Sequence, residues 1–153
     1  MNSPVVVSHP RDLHTLLDAE LPTTEWSTLE QRTIDLFAES TGDHQWIHVD
    51  ADRAKDGPYG TTIAHGYLSL ALVGPLFARV LHVENASRII NYGLEKVRFP
   101  APLPVDSRIR LASRLISVTD VDGGVQVVVN AEVQGDRSGK PFCVAHPVFR
   151  YYE

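Results

Sequence analysis

The sequence predicts an α+β fold in which an antiparallel sheet covers a buried helix. Apolar residues run almost unbroken over 63–83, and a helix that is apolar nearly all round must be covered on most sides. Hairpin signals rich in Gly and Asp lie at 120–124 and 135–139. They separate strand-like runs, which occupy 88–99, 108–118, 125–133 and 142–152. A curled sheet wrapped over one apolar helix accommodates both observations.

Length and charge indicate one domain over residues 1–153, with an N-terminal helical extension over 1–24. The 153 residues are 43% hydrophobic, and 14 basic against 19 acidic side chains give a formal net charge of −5. This balance provides no general attraction for nucleic acid or anionic lipid. The first ten residues lack the basic segment of a secretory signal, and 63–83 is interrupted by His65 and Pro75. We therefore expect no nucleic acid or membrane partner and a cytoplasmic location.

The N-terminal part of the sequence predicts two helices. Leu13, Leu16 and Leu17 recur at helical spacing and predict a helix over 10–20. Thr28 and Gln31 fit a capping box and predict the start of a second helix. This helix is expected to end at Gly42, a residue type that favours helix C-termini.

The middle of the chain predicts loops around the apolar helix. Residues 43–50 and 57–60 are predicted loops, separated by a helical turn over 51–56. Thr61 or Thr62 is expected to cap the apolar helix. Pro75 is expected to kink that helix or divide it in two.

The densest group of polar side chains lies in the segment TGDHQWIHVD, residues 41–50. Asp43 and His48 could form a general acid–base pair, because a carboxylate fixes the orientation of a neighbouring imidazole. The spacing alone also allows a structural explanation, in which Asp43 caps the next turn. Both interpretations remain open on the residues themselves.

Three segments make the chain resemble one family. FAESTGDHQWIHVD, GTTIAHG and VRFPAPLPVDS, in this order, are similar to motifs of the MaoC-like dehydratases, also called (R)-specific enoyl-CoA hydratases, and most of all to their NodN-like branch. The resemblance covers roughly residues 25–153. It implies a single hot-dog fold, in which a curved antiparallel sheet wraps a long central helix. It also implies reversible hydration of trans-2-enoyl-CoA to (R)-3-hydroxyacyl-CoA.

The resemblance assigns roles residue by residue. Asp43 and His48 match the catalytic pair, and Gly66 matches the glycine whose backbone N–H binds the thioester oxygen. Substrate contacts are also expected at further positions: Gln45, Ile63, Ala64, His65, Asn91 and Tyr92. The amides of Ile63 and Ala64 could help Gly66 to polarise the thioester carbonyl. His65 at the helix start, and Asn91 and Tyr92 within the sheet, also allow a structural role. Gln45 and Trp46 stand where the family usually has Asn and Pro, and Asp106 where it usually has Gly.

The resemblance also predicts the partners. Coenzyme A is part of the acyl-CoA substrate, so no separate cofactor is expected. The acyl channel of the family forms at a dimer interface, so a homodimer is expected. An anionic substrate on an acidic protein requires local positive charge. The basic candidates are Arg88, Lys96, Arg98, Lys140 and Arg150.

The residues support two alternative functions less well than they support a hydratase. A hot-dog thioesterase usually carries a carboxylate near the long helix, and 63–83 has no Asp or Glu. A non-catalytic acyl-binding subunit of a heteromeric dehydratase typically lacks the Asp and His pair. His44 and His48 have zinc-helix spacing but no glutamate base between them, so no metal is expected. Cys143 has no partner for an internal disulfide and is expected to be a buried free thiol.

Overall fold

The computed structural model describes residues 3–153. Met1 and Asn2, the first two residues of the predicted domain, lie outside the described residues. A five-stranded sheet with the order β2-β5-β6-β7-β4 forms the body of the fold, and β1 and β3 form a separate parallel pair. The strands are β1 Val5–Val7, β2 Ser27–Thr28, β3 Leu81–Val83, β4 Arg88–Arg98, β5 Arg108–Val121, β6 Gly124–Gly135 and β7 Cys143–Tyr152.

Short helices fill the concave side and the ends of the sheet. They are a 3-10 helix Pro10–Leu16, α1 Gln31–Thr41, α2 Trp46–Val49, α3 Ala51–Lys55, α4 Gly66–Ala71 and α5 Val73–Phe77. Leu72 keeps a helical backbone between α4 and α5. The two helices therefore run on from one another as the central helical segment, 66–77.

Alternating burial in the long strands places the core between the sheet and the central segment. β6 is the middle strand, paired with β5 and β7 along most of its length, and its Val125, Val127 and Val129 are fully buried. The ring of Phe77 on α5 stacks on Phe149 of β7 at a centroid distance of 5.4 Å. The predicted α+β architecture, a curved antiparallel sheet over a buried helix, is confirmed.

β4 lies at the edge of the sheet, hydrogen-bonded only to β7 among the described strands. Ten of its eleven residues are exposed. They include large apolar side chains that are 42–57% exposed: Ile89, Ile90, Tyr92 and Leu94. We call this stretch, residues 89–94, the β4 edge.

Several predictions that rest on a short local sequence signal are confirmed. The four long predicted strands correspond to β4, β5, β6 and β7, and Gly123 adopts φ 73° in the β5–β6 hairpin. Gly42 ends α1 with φ 78°, and its N–H donates to Ala38 O at 2.8 Å. The break at Leu72, close to Pro75, divides the apolar helix as expected.

Several predicted helix boundaries are wrong. The predicted helix over 10–20 is a 3-10 helix that ends at Leu16, and the only helix described in the predicted extension over 1–24 is this one. Thr28 does not cap α1, because it pairs with Arg108 in β2. The apolar helix begins at Gly66 with His65 as its N-cap, so neither Thr61 nor Thr62 caps it. The end of the predicted helix, Leu81–Val83, is β3.

Within residues 3–153, the helices are all too short or too polar to span a lipid bilayer.

Candidate functional site

Asp43 stands directly after the turn that ends α1. The left-handed backbone of Gly42 turns the chain out of the helix, and residues 43–45 follow as a loop. The Asp43 N–H donates to Thr41 Oγ1 at 3.3 Å, and its Oδ1 accepts the Gln45 N–H at 3.4 Å. The carboxylate is exposed, so solvent and substrate can reach it.

His48 is buried on the single turn α2, which forms inside the predicted 43–50 loop. Its Nδ1 lies 2.7 Å from Ile63 O. A carbonyl oxygen only accepts, so Nδ1 carries the hydrogen and Nε2 carries the lone pair of the neutral ring. The Ile63 N–H in turn donates to Ile47 O at 3.0 Å. The two bonds join α2 to the segment that leads into α4.

Nε2 of His48 has no hydrogen-bond partner among the described residues. It is also absent from the fully buried unpaired side-chain atoms of those residues, which are His65 Nδ1 and Ser113 Oγ. Nε2 therefore faces accessible space. Burial lowers the pKa of His48 below its usual value, against the smaller opposing effect of the Ile63 carbonyl. The neutral ring, a base, is favoured near pH 7.

His65 lies between the two functional groups. Its ring stacks on His48 with centroids 3.8 Å apart and 24° between the planes, and Phe37 of α1 contacts it at 4.9 Å. Its Nε2 lies 2.9 Å from Asp43 O. A carboxylate oxygen of Asp43 and one ring nitrogen from each histidine lie within 4.8 Å of one another. One water molecule can bond two groups at that separation, since each hydrogen bond spans about 2.7–3.0 Å.

Gly66, the first residue of α4, has an N–H without a protein acceptor among residues 3–153. The first N–H groups of a helix have no intrahelical partner. A Cβ at this position would lie 3.1 Å from the Phe99 ring, so Phe99 packs closely on the glycine. By contrast, the amides of Ile63 and Ala64 already donate to Ile47 O and Leu103 O. These two amides therefore hold the segment before α4 in place, whereas the Gly66 N–H has no such partner among the described residues.

The structure separates the remaining expected contact residues. Gln45 is exposed beside Asp43 as the N-cap of α2. Asn91 lies on β4 and lines the same two cavities as Gly74, which is eight residues along the central segment from Gly66. Tyr92 is its neighbour on the strand and lies beneath the Arg150 guanidinium at 3.5 Å. Asn91 thus belongs to a groove beside the helix and not to the group around Asp43.

That groove runs between the central segment and β4. Two adjoining cavities of about 240 and 350 Å³ share Gly74, Asn91 and Phe149. Most of the lining is apolar, with Leu70 and Leu94 nearer the Gly66 end. We call this the β4 groove.

Gln31 is a structural residue that the sequence did not reveal. Its Nε2 donates to His48 O at 2.8 Å and to Asp35 at 2.9 Å, while its Oε1 accepts the Thr62 hydroxyl at 2.5 Å. It joins α1 to α2 and to the segment before α4. The sequence indicates Gln31 only as a capping residue, and no local pattern indicates its two distant partners, His48 and Thr62, which are 17 and 31 residues away.

The stacking of the two histidine rings is unfavourable for a metal ion shared by Asp43, His48 and His65. The ring planes are 24° apart, so their in-plane lone pairs run side by side and not toward one ion. One nitrogen of each ring bonds a carbonyl oxygen, and the other has no hydrogen-bond partner among the described residues. His44 is exposed and precedes α2, so it does not share a helical face with His48.

A cavity of about 730 Å³ lies against the 101–108 segment and the loop at 136–138. Its charged lining is balanced, because Arg108 and Arg137 are matched by Asp106 and Asp136. Arg108 is also 3.9 Å from Asp136. This cavity therefore offers no net positive charge to an anion.

Of the basic candidates, Lys96 and Arg98 are nearest to the group of functional residues. Both are exposed on β4, just before Phe99. Arg88 and Arg150 lie over the rings of Tyr152 and Tyr92. Lys140 is exposed in the β6–β7 loop.

Cys143 is a buried free thiol, as expected. Burial raises its pKa to about 11. The reactive thiolate is therefore scarce at neutral pH.

The fold is of the hot-dog type, and a buried imidazole with an unbonded Nε2 lies beside a carboxylate near the start of the central helix. Residues 12–136 match the MaoC-like domain family. The 3-hydroxyacyl-thioester dehydratase Z of Mycobacterium tuberculosis is 48% identical over 141 residues, covering 92% of this chain and 93% of the relative. Nodulation protein N of Rhizobium leguminosarum is 40% identical over 124 residues, covering 80% and 76%.

The solved structure of the R-hydratase PhaJ1 from Pseudomonas aeruginosa has the same fold, with a TM-score of 0.72 at 24% identity over 87% of this chain and 81% of that one. The chain belongs to the MaoC-like family. The expectation of an enzyme of the hydratase or dehydratase type is confirmed by the family match and by the dehydratase relative of 48% identity.

Proposed function

We propose that the protein catalyses the reversible hydration of a trans-2-enoyl-CoA to an (R)-3-hydroxyacyl-CoA. The observation that carries the proposal is the arrangement of Asp43 and His48. A carboxylate oxygen and an imidazole nitrogen lie within 4.8 Å of each other, and Ile63 O holds the imidazole in the tautomer with a free Nε2. A dehydratase relative of 48% identity over nearly its full length supports the reaction class.

His48 acts as the base in the direction of hydration. A water held by Asp43 and His48 loses a proton to Nε2 while its oxygen forms a bond to C3 of the enoyl group. The electron pair of the double bond moves onto the thioester oxygen as an enolate. The imidazolium then returns the proton to C2, so one water is added and both residues end unchanged. Dehydration follows the same steps in reverse.

The Gly66 N–H stabilises the enolate oxygen in this scheme. It is a donor with no acceptor among the described residues, fixed at the start of the helix before the substrate arrives. Such a fixed donor contributes about 10²–10³ in rate. Phe99, which packs on Gly66, must move or share this space with the thioester.

The β4 groove is the proposed location of the acyl chain. It is mostly apolar and follows the central segment away from Gly66. Lys96 and Arg98 are the proposed contacts for the coenzyme A phosphates, since both are exposed near Phe99. A cytoplasmic location belongs to the same proposal and is tested by cell fractionation.

The test is loss of enoyl-thioester absorbance with purified protein, using crotonyl-CoA and longer enoyl-CoA substrates. Asp43→Asn and His48→Ala should each lower kcat by about 10² or more. His44→Ala, an exposed histidine in the same loop, is the matched control and should retain activity. Full activity in both Asp43→Asn and His48→Ala would refute the mechanism.

The product distinguishes the alternative functions. Chiral analysis should give the (R)-3-hydroxyacyl-CoA. Release of free coenzyme A without a hydroxyacyl product would identify a thioesterase instead. A protein that binds enoyl-CoA but turns over none would correspond to the non-catalytic subunit.

A homodimer joined through the β4 edge completes the proposal. β4 is eleven residues long, and its edge carries exposed apolar side chains. Exposed strand edges of this kind are usually blocked by charge or proline, or are paired. Pairing with a second copy would cover the edge and enclose the open side of the β4 groove.

A further inference from the structure

His65 is a buried histidine whose two contacts reach both proposed reacting residues. Its side chain is only 3% exposed. It precedes Gly66, so it is covalently adjacent to the proposed oxyanion donor. The reaction scheme gives His65 no proton to carry, and its contacts need another explanation.

The first contact fixes the main chain of Asp43. His65 Nε2 donates to Asp43 O at 2.9 Å. The other hydrogen bonds that hold Asp43 are longer, at 3.3 Å to Thr41 Oγ1 and 3.4 Å from the Gln45 N–H. Asp43 is otherwise part of an exposed loop, and such loops open easily. The bond from His65 is therefore the best-formed restraint on the position of the carboxylate.

The second contact fixes the ring of His48. The stack at 3.8 Å restricts the imidazole plane on one side, while the bond from Nδ1 to Ile63 O restricts its rotation. His65 is itself held on α1 by Phe37 at 4.9 Å. The three rings form a layer from α1 to α2 through the residue before α4.

The unpaired Nδ1 of His65 indicates which form of the ring fits this place. Nδ1 is buried and has no hydrogen-bond partner among the described residues. A hydrogen on Nδ1 would be a buried donor without an acceptor, which is costly. The contacts suit one neutral tautomer, with hydrogen on Nε2 and a bare Nδ1.

We propose that His65 is a positioning residue: it holds Asp43 and His48 in the positions, relative to the Gly66 N–H, that the reaction requires. It does so through its Nε2–H bond to the Asp43 main chain and its stack on the His48 ring. The proposal rests on the hydration reaction proposed above. A misplacement of about 1 Å at a reacting group can lower a rate by about 10², so the loss of this restraint should reduce turnover more than binding.

Two substitutions separate the two contacts. His65→Phe keeps a ring for stacking and removes the donor to Asp43 O. His65→Gln keeps an amide N–H at a similar reach and removes the ring. His14→Phe, the same change at an exposed histidine bonded to Asp120, is the matched control.

We expect His65→Phe to lower kcat about 10- to 100-fold with KM changed less than about threefold. His65→Gln should recover a substantial part of kcat, and His14→Phe should match the wild type. Wild-type kcat in His65→Phe would overturn the proposal. A loss confined to KM would also overturn it. So would a kcat in His65→Gln no higher than that in His65→Phe, because the N–H donor to Asp43 O would then make no contribution.

A measurement on the unaltered protein covers variants that fail to fold. Nitrogen-15 NMR of the histidine rings at pH 7 should show His65 fixed as the Nε2–H tautomer and His48 as the Nδ1–H tautomer. A charged or tautomer-averaged His65 ring would overturn the proposal. A wild-type protein inert on every enoyl-CoA would instead refute the proposed function, while the NMR result would still judge the geometry of His65.

Discussion

At the scale of single residues, the environment of His48 determines the pH range of the proposed reaction. Burial disfavours the imidazolium ion, so the pKa of His48 is lowered from its usual value of about 6.5. The base must be neutral to accept a proton from water. Activity should therefore persist as the pH falls through neutrality and be lost only on the acid side of that value.

We predict that kcat/KM for hydration is level near pH 7 and falls on an acid limb whose midpoint lies below about 6.5. The measurement is kcat/KM between pH 4.5 and 8. The folded state also loses stability as pH falls below the unfolded value near 6.5, since unfolded His48 binds its proton more readily. Unfolding followed at each pH separates this loss from inhibition. A midpoint well above 6.5 would contradict the role of burial.

Gly66 permits a substitution that removes only the proposed donor. Proline is tolerated at the first position of a helix, where its missing N–H has no intrahelical partner. The preceding residue must be extended, and His65 already is, at φ −58° and ψ 138°. Gly66→Pro and Gly66→Ala both crowd Phe99, since a Cβ lies 3.1 Å from its ring.

The difference between these two variants therefore reports the N–H. We predict that kcat of Gly66→Pro is about 10²–10³ lower than that of Gly66→Ala. Steady-state kinetics with crotonyl-CoA measures it, and circular dichroism confirms that both variants are folded. Equal kcat values would show that Gly66 N–H does not bind the thioester oxygen.

At the scale of elements, the break in the central helix leaves room beside it. Gly74 lies inside α5, and a Cβ there would have no neighbour within 4 Å. The two cavities of the β4 groove meet at this residue. Gly74 precedes Pro75, whose ring crowds a preceding side chain in helical backbone, so glycine suits this position and leaves the space beside it open.

We predict that Gly74→Ala lowers kcat/KM for long enoyl-CoA substrates, because the added methyl group occupies the space where the two cavities meet. Crotonyl-CoA, whose short chain does not extend to Gly74, should be hydrated at the wild-type rate. A chain-length series is the measurement, and circular dichroism confirms that the variant is folded. An equal loss on short and long substrates would place the acyl chain elsewhere.

The elements that sequence could predict are those with local signals. Alternation of apolar residues identifies β5, β6 and β7, and Gly42 adopts the left-handed conformation that its type favours. Thr28 and Thr62 carry cap-like signals but find partners far along the chain, in Arg108 and Gln31. Such pairings depend on the tertiary fold.

The candidate site divides in the same way. The segment with Asp43 and His48 was recognisable because its order and spacing are contiguous in sequence. The stack of His65 on His48, the bonds of Gln31 and the packing of Phe99 on Gly66 join residues 17 to 33 positions apart. No periodicity indicates these contacts, so they became visible only in the structure.

At the scale of the whole molecule, the unpaired β4 edge is the feature that a single copy leaves unexplained. Within the described sheet, β4 has one neighbour, and its central residues 89–94 carry no charge. A second copy that pairs along it would cover its exposed isoleucines. The net charge of −5 is small enough to permit association of two copies.

We predict that the protein is a dimer by size-exclusion chromatography with light scattering, and that an Ile89→Lys and Ile90→Lys double variant is monomeric. Lysine on an edge strand opposes pairing through repulsion and the cost of burying charge. Leu36→Lys, at a residue of α1 that is 53% exposed, is the control and should remain dimeric. A monomeric wild-type protein would contradict the role proposed for the β4 edge.

The paired bonds between Ile63 and α2 have a further consequence for how the site can be observed. Ile63 N–H donates to Ile47 O, and Ile63 O accepts from His48, so α2 cannot separate from the segment before α4 without exposing this amide. Its deuterium exchange rate therefore measures the free energy of opening at the base itself. Exchange at this one backbone amide thus reports how often the site opens, in the unmodified protein.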